Sequence, residues 1–368
     1  MIASARETAR GTAEELLDYL RQRLSVTDLG YRHPLVVIPD GWETNTCQFQ
    51  LASAESMPAP FDGPLVLRAY SSRQGLPRLR HEFDVQRHLK RHGYPVAAPL
   101  LLEETSSRLG GPFMIMEWIP GQTLLEFLLD HPMSIWGYPS HMAELQVRLN
   151  TMSVEGFPAG AGWHLPRSLH CLRNIVSACD LDDMRPGLKW LEAHQPGPPA
   201  RACILHLDFH PLNLMIHEGR FRAVLDWSDA DVGDYHADVA ATLLLLDAAP
   251  VKMTNFFHWL VSLPGQGMLR RGYLHAYRGR LPLDEQRLSY YLAWAAFRRL
   301  AVWRQWLHAG PVGAGIKAAT TSRLTPKRLS FLADYFHKHS GVSIALSPPR
   351  PALPTPAPSL GLEGSSRL

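Results

Sequence analysis

Cysteine is scarce and unpatterned in this 368-residue chain. Cys47, Cys171, Cys179 and Cys203 form no CxxC pair, so neither a zinc knuckle nor a disulfide scaffold is expected. Long apolar runs are missing too. The longest, Val239 to Leu246, covers eight residues and includes Thr242, against roughly 18 for a membrane-crossing helix. The first residues, Met1 to Glu7, show no apolar core of a signal peptide. No excess of one charge stands out either: 37 Lys and Arg face 34 Asp and Glu, a formal net of +3, too mild for a general nucleic-acid binder. These absences leave a globular protein of a reducing compartment, expected in the cytoplasm, with no membrane and no nucleic acid as partner. A hydrophobic fraction of 46% supplies a sizeable core for one large domain or two lobes.

The chain changes character once along its length. Thr12 and Glu15 have capping-box spacing, and Leu16, Leu17, Leu20 and Leu24 recur at helical intervals, which predicts a helix starting there. Leu35 to Tyr70 breaks into short Val-, Phe- and Leu-rich runs, read as two or three antiparallel strands. A helix over Leu79 to Arg91 follows, ended by Gly93, then strands at Leu100–Leu102 and Phe113–Glu117. After Pro120-Gly121 the pattern is mostly helical: Met142 to Met152, one or two helices within Arg167–Ala193, and several from Val239 to Lys338. A strand at Cys203–Leu207 and a hairpin turning at Glu218-Gly219 interrupt it. Ser347 to Leu368 holds six prolines and no periodicity, so a disordered tail is expected. The plan is α+β and two-lobed: a strand-rich part over 1–117, a larger helical part over 118–346, and the tail over 347–368.

The chemistry is concentrated in His206-Leu207-Asp208-Phe209-His210-Pro211-Leu212-Asn213 and in Asp226-Trp227, beyond the hairpin. Phosphoryl transfer needs a carboxylate to accept the proton of the attacking hydroxyl and hard oxygen ligands for Mg²⁺. An Asp, an amide five residues later and a second Asp past a hairpin can supply those parts. As turn residues, Asp208 and Asn213 would merely stabilise a loop, but Asp226 then has no role. Reading His206, Asp208 and His210 as an HxDxH metal site gives a metallohydrolase, and leaves Asn213 and Asp226 unexplained. His206 is expected to be a packed loop histidine.

This segment resembles the catalytic loop of the aminoglycoside phosphotransferase and choline kinase superfamily, whose fold is protein-kinase-like: a small antiparallel-sheet N-lobe and a larger, mainly helical C-lobe. Asp226-Trp227 resembles that superfamily's metal-binding Asp, and Gly233-Asp234 with Asp238-Val239-Ala240 resembles its continuation, where the later Asp is a structural anchor. The resemblance implies Asp208 as catalytic base, with Asn213 and Asp226 as Mg²⁺ ligands. It extends to the first lobe. Gly41, Asn45 and Thr46 resemble the phosphate loop, Arg68 the phosphate-binding cation (Lys in protein kinases), and Glu82 its helix partner. Met114 to Gly121 resembles the strand and hinge against which adenine lies, with the backbones of Glu117 and Ile119 as contacts.

The resemblance implies ATP as co-substrate, Mg²⁺ as cofactor and a small hydroxylated molecule as acceptor, with a catalytically inactive nucleotide-binding pseudokinase as the alternative. Asp-Trp in place of Asp-Phe-Gly, and no Ala-Pro-Glu after it, argue against a protein kinase. Asp229, Asp231 and Asp234 stand near the reacting Asp and are candidates to bind the acceptor. Val251 to Leu346 carries fourteen Lys and Arg against three Asp and Glu. That balance favours a neutral sugar, macrolide-like or amino-alcohol acceptor over a polycationic aminoglycoside. The aromatics Phe256, Phe257, Trp259, Tyr290, Tyr291, Trp294, Trp303 and Trp306 are expected in the core rather than in a pocket.

Overall fold

The computed structural model describes residues 2–38, 45–53, 58–70, 75–105, 109–160, 163–248, 256–313 and 324–346. Helix α1 (Ile2–Leu24) opens the chain. It starts ten residues before the expected Thr12 cap, because residues 2–10 are rich in Ala, Arg and Glu, strong helix formers that carry the helix through Gly11. Leu16 and Leu20 are fully buried and pack with Phe49, Leu65, Leu67, Phe113 and Ile115 on one face of a sheet.

That sheet comprises β1 (Gly30–Ile38), β2 (Asn45–Ala52), β3 (Pro64–Ala69), β4 (Pro99–Glu103) and β5 (Phe113–Glu117), in the antiparallel order β1-β2-β3-β5-β4. Helix α2 (Leu76–Arg91) joins β3 to β4. Strand alternation decides which side chains meet it. Leu65 and Leu67 point into the α1 cluster, while Val66 joins Leu79 of α2, Met114 and Met116 on the opposite face. Arg68 shares the parity of Val66, so it is delivered to α2 and meets Glu82 there.

Past β5 the chain turns at Gly121, whose φ is +116°. A Cβ at this position would lie 2.0 Å from the Ile216 carbonyl oxygen, so only glycine fits. Strand β6 (Gln122–Thr123) follows, and a capping box between Thr123 and Glu126 starts α3 (Leu124–Asp130). Next come α4 (Tyr138–Thr151), α5 (His164–Ala178) and α6 (Arg185–Ala193), then strands β7 (Cys203–Leu205), β8 (Leu214–His217), β9 (Arg220–Val224) and β10 (Asp231–Gly233). Strand β10 pairs with β7, and β6-β8-β9 form a small sheet. Helices α7 (Tyr235–Ala248), α8 (Phe256–Arg278), α9 (Glu285–Gly313, broken at Gly310) and α10 (Pro326–Ser340) complete the part.

Its core holds Tyr290, Tyr291, Trp294 and Trp303, with Trp306 partly buried against it, so these aromatics are structural as expected. The side chains of Phe256, Phe257 and Trp259 lie outside the described residues, as do Gly41 and the tail over 347–368. No helix among the described residues is long and apolar enough to cross a membrane. The two parts meet through backbone and ring contacts. Val224 N–H donates to Pro95 O at 2.8 Å, Arg148 donates to Gly93 O at 2.7 Å, and Tyr94 sets its edge against Trp227.

Candidate active site

A short loop between β7 and β8 carries Asp208 and Asn213. Leu207 sits at φ +63°, a left-handed conformation that a leucine adopts only when its surroundings enforce it. The enforcing group is Asp238 of α7, which is fully buried. Its Oδ1 accepts the N–H groups of His206 at 2.9 Å and Leu207 at 2.7 Å, while Asn150 of α4 donates to its Oδ2. Asn150 in turn accepts from Tyr277 of α8 and donates to Ile204 O. Three helices thus hold the loop through one carboxylate.

His206 is fully buried, and both ring nitrogens are engaged: Nε2 donates to Leu225 O and Nδ1 accepts from Asp208 N–H. It is the packed histidine expected, and it has no lone pair left for a metal. Among the described residues no three His, Cys, Asp or Glu side chains form a metal-holding group. The HxDxH reading is therefore set aside.

Asn213 and Asp226 are brought together by the β8–β9 hairpin. Leu225 N–H donates to Asn213 O at 2.8 Å, one step beyond the Leu214–Val224 pair. The Asn213 amide donates to the Asp208 backbone oxygen at 2.9 Å and to its Oδ2 at 3.1 Å. The same nitrogen lies 3.3 Å from His210 Nε2. Asp226 also has positive φ, +60°, and its Oδ1 accepts from Ser228 Oγ and lies 3.5 Å from Arg68. An amide and a carboxylate delivered by neighbouring strand ends are hard-oxygen donors of the kind that suits Mg²⁺ completed by phosphate oxygens.

Arg68 closes the site from the sheet side. Its Nη1 donates to Glu82 Oε1 at 2.5 Å, while its buried Nε has no partner among the described residues, an orphan donor that a phosphate oxygen would satisfy. Burial disfavours the charge on Arg68, but Glu82 and Asp226 outweigh it and hold the guanidinium protonated. Burial pushes the Glu82 carboxyl up to about 7 against the pull of Arg68, with Asp226 adding to the rise. Thr46 lies on β2 opposite Arg68, and only the backbone of Asn45 is described. At the end of β5, Glu117 N–H donates to Ala98 O and Trp118 N–H to Pro64 O. Ile119 N–H is the next amide along, and it has no partner among the described residues.

Asp208 is less open than the sequence suggests. Arg299 of α9 donates to its Oδ1 at 2.8 Å, and His210 Nε2 lies 3.4 Å from its Oδ2. Burial would raise this carboxyl, but His210 and Arg299 hold it well below the usual carboxylate range. The three neighbouring acids are also paired. Asp229 lies between Arg298 at 2.6 Å and Arg78 at 3.4 Å, which bring its carboxyl down to about 2 against the effect of burial. Asp231 is bound by Arg167. Asp234 does not face the cleft: it is 2% exposed, held by His236 and Arg287. Arg78 of α2 also reaches across to Ser228 at 2.9 Å.

A model of the phosphotransferase enzyme family matches residues 35–291. Acyl-CoA dehydrogenase family member 10 of Mus musculus is 29% identical over 197 residues, which is 50% of this chain and 18% of that relative. The chain thus spans less than a fifth of that relative's length. Among solved structures, a thermostable mutant of aminoglycoside phosphotransferase APH(4)-Ia matches with a TM-score of 0.60 at 16% identity, over 89% of this chain and 100% of that one. An amicoumacin kinase matches with a TM-score of 0.55 at 17% identity, over 84% and 89%. These likenesses establish the protein-kinase-like fold. The family match covers well over half of the sequence, and the chain belongs to the phosphotransferase enzyme family.

Proposed function

We propose that the chain is an ATP- and Mg²⁺-dependent phosphotransferase that moves the γ-phosphate to a hydroxyl of a small molecule. One observation carries this reading: Arg68 is ion-paired to both Glu82 and Asp226, and Leu225, the neighbour of Asp226, donates its N–H to Asn213, whose amide donates to Asp208. Residues 1–117 hold the nucleotide, and residues 118–346 supply the catalytic and acceptor groups. Adenine lies against the backbones of Glu117 and Ile119, with Gly41, Asn45, Thr46 and Arg68 toward the phosphates. Asn213 and Asp226 hold Mg²⁺, which when bound neutralises phosphate charge. The acceptor oxygen bonds to the γ-phosphorus, its proton passes to Asp208, and the bond from γ-phosphorus to the bridging oxygen breaks to leave ADP. In support, the structurally similar amicoumacin kinase is complexed with AMP-PNP and Ca²⁺. The four cysteines are free thiols, which suits a cytoplasmic setting.

The acceptor favoured by the sequence is neutral or partly apolar. The arginines around Asp208 and Asp229 strengthen the case against a polycation. The test is ADP release from Mg-ATP across sugars, macrolides, amino alcohols and aminoglycosides. ADP that forms only with an acceptor, and stops with EDTA, is expected. ATP binding with no acceptor-dependent ADP would favour the pseudokinase alternative.

A pH dependence follows from Glu82. Above about 7 its carboxylate is ionised and orients Arg68; as pH falls through that value, protonation removes the charge partner. KM for ATP is expected to rise by roughly tenfold between about pH 8 and about pH 6. Glu82→Gln should show the high KM throughout, which steady-state titrations of ATP at each pH will check.

A further inference from the structure

Arg299 of α9 is ion-paired to Asp208. The two side chains are 23% and 21% exposed, and their ion pair spans 91 residues of sequence. Arg298, the preceding residue of α9, reaches the same floor, binding Asp229 at 2.6 Å with its guanidinium 5.7 Å from the Trp294 ring centre. A hydroxyl that gives its proton to Oδ1 of Asp208 must come within about 3 Å of it, which places it beside the Arg299 guanidinium that donates to the same oxygen. That guanidinium has five N–H donors in a planar fork. Among the described residues, Asp208 is its one hydrogen-bond partner.

The charge around this position selects against amines. An ammonium would meet Arg298 and Arg299 as like charges. The acids that would hold it are engaged, Asp229 by Arg78 and Arg298 and Asp231 by Arg167. An oxyanion meets the opposite situation, a guanidinium whose remaining donors match its geometry.

We propose that the acceptor is a hydroxylated anion whose carboxylate or phosphate group is bound by Arg299, the residue that selects it. This deepens the phosphotransferase reading and rests on it. It departs from the neutral acceptor expected from the sequence, because sequence spacing does not place Arg299 on Asp208.

The experiment uses acceptor sets matched in skeleton and differing in charge: glycerol, glycerate, glycerol phosphate and serinol, then glucose, gluconate, glucose phosphate and glucosamine. Each is assayed with Mg-ATP on the wild type, Arg299→Gln and Arg299→Lys. An anionic member is expected to exceed its neutral partner in kcat/KM by about tenfold to a hundredfold, as for a charge-assisted hydrogen bond. Arg299→Gln should bring that ratio close to one through the acceptor KM, leaving KM for ATP unchanged. Arg299→Lys should keep part of it and serves as the folded reference. Comparison of the carboxylate and phosphate members identifies which anion is read. Turnover led by neutral or cationic members overturns the inference, as does a ranking unchanged in Arg299→Gln. A rise in KM for ATP with every acceptor also overturns it, because Arg299 would then serve the nucleotide. ADP release with no member, while Mg-ATP binds, overturns the phosphotransferase reading and this inference with it.

Discussion

Replacing Asp208 with Asn should lower kcat by about 10²–10⁴-fold, the usual contribution of a positioned general base, and leave KM for ATP close to wild type. The amide keeps one oxygen to accept from Arg299 and gives up the Asn213 contact to Oδ2, while Asn213 still holds the loop through the backbone oxygen of residue 208. What it loses is the ability to take the acceptor's proton. The split between kcat and KM is the informative part. ATP contacts Arg68 and the hinge in the proposed reading, and neither depends on Asp208. A variant that consumes ATP with acceptor at the wild-type rate would remove Asp208 from the reaction. A variant that fails to bind ATP would mean that the loop had collapsed, and its melting curve would reveal that. The depressed pKa adds a further check. His210 and Arg299 overcome burial and keep Asp208 ionised well below the usual range, so Asp208 is ionised across the neutral range. The acid limb of activity near neutrality should therefore follow Glu82.

The parts of the site that were legible in the sequence are those held close in the chain. Asp208 and Asn213 share one loop, and Asp226 returns beside Asn213 because a two-stranded hairpin with a Glu218-Gly219 turn brings it back. Arg68 and Glu82 were paired by the resemblance alone, and the ion pair between them follows from strand alternation, which turns Arg68 toward α2. The partners supplied by α9 left no such trace. Arg299 reaches Asp208 across 91 residues and Arg298 reaches Asp229 across 69. Arg78 crosses 151 residues to Asp229. Helical periodicity assigns these arginines to a polar face and cannot say that the face closes a cleft. Local signals misled at the first helix as well, where Thr12 and Glu15 carry capping-box spacing inside a helix that begins at Ile2. Capping preference is worth about 1 kcal/mol, and a run of good helix formers upstream outweighs it.

The second large effect is expected at Asp238, which touches no reactant. Its Oδ1 accepts two backbone N–H groups and its Oδ2 a third donor from Asn150, all buried. Asp238→Ala strands these donors without water. Each buried unsatisfied group costs about 1–3 kcal/mol, so the variant should lose roughly 3 kcal/mol or more, and its melting temperature should fall by several degrees. Asp238→Asn separates anchoring from folding. Its amide oxygen can still accept from the loop, but its NH₂ faces the Asn150 donor, so one of the two contacts must break. Leu207 at φ +63° has no other described support for its left-handed backbone. Relaxation of that residue turns Asp208 away from the acceptor. Asp238→Asn should therefore retain the fold while kcat drops by about tenfold to a hundredfold, since small misplacements of a reacting group are costly. KM for ATP, set by groups on the sheet side, should barely change. Full activity in a folded Asp238→Asn would show that the loop holds its strained turn without this carboxylate. The three-helix anchor of Asn150, Tyr277 and Asp238 would then be a device of stability alone.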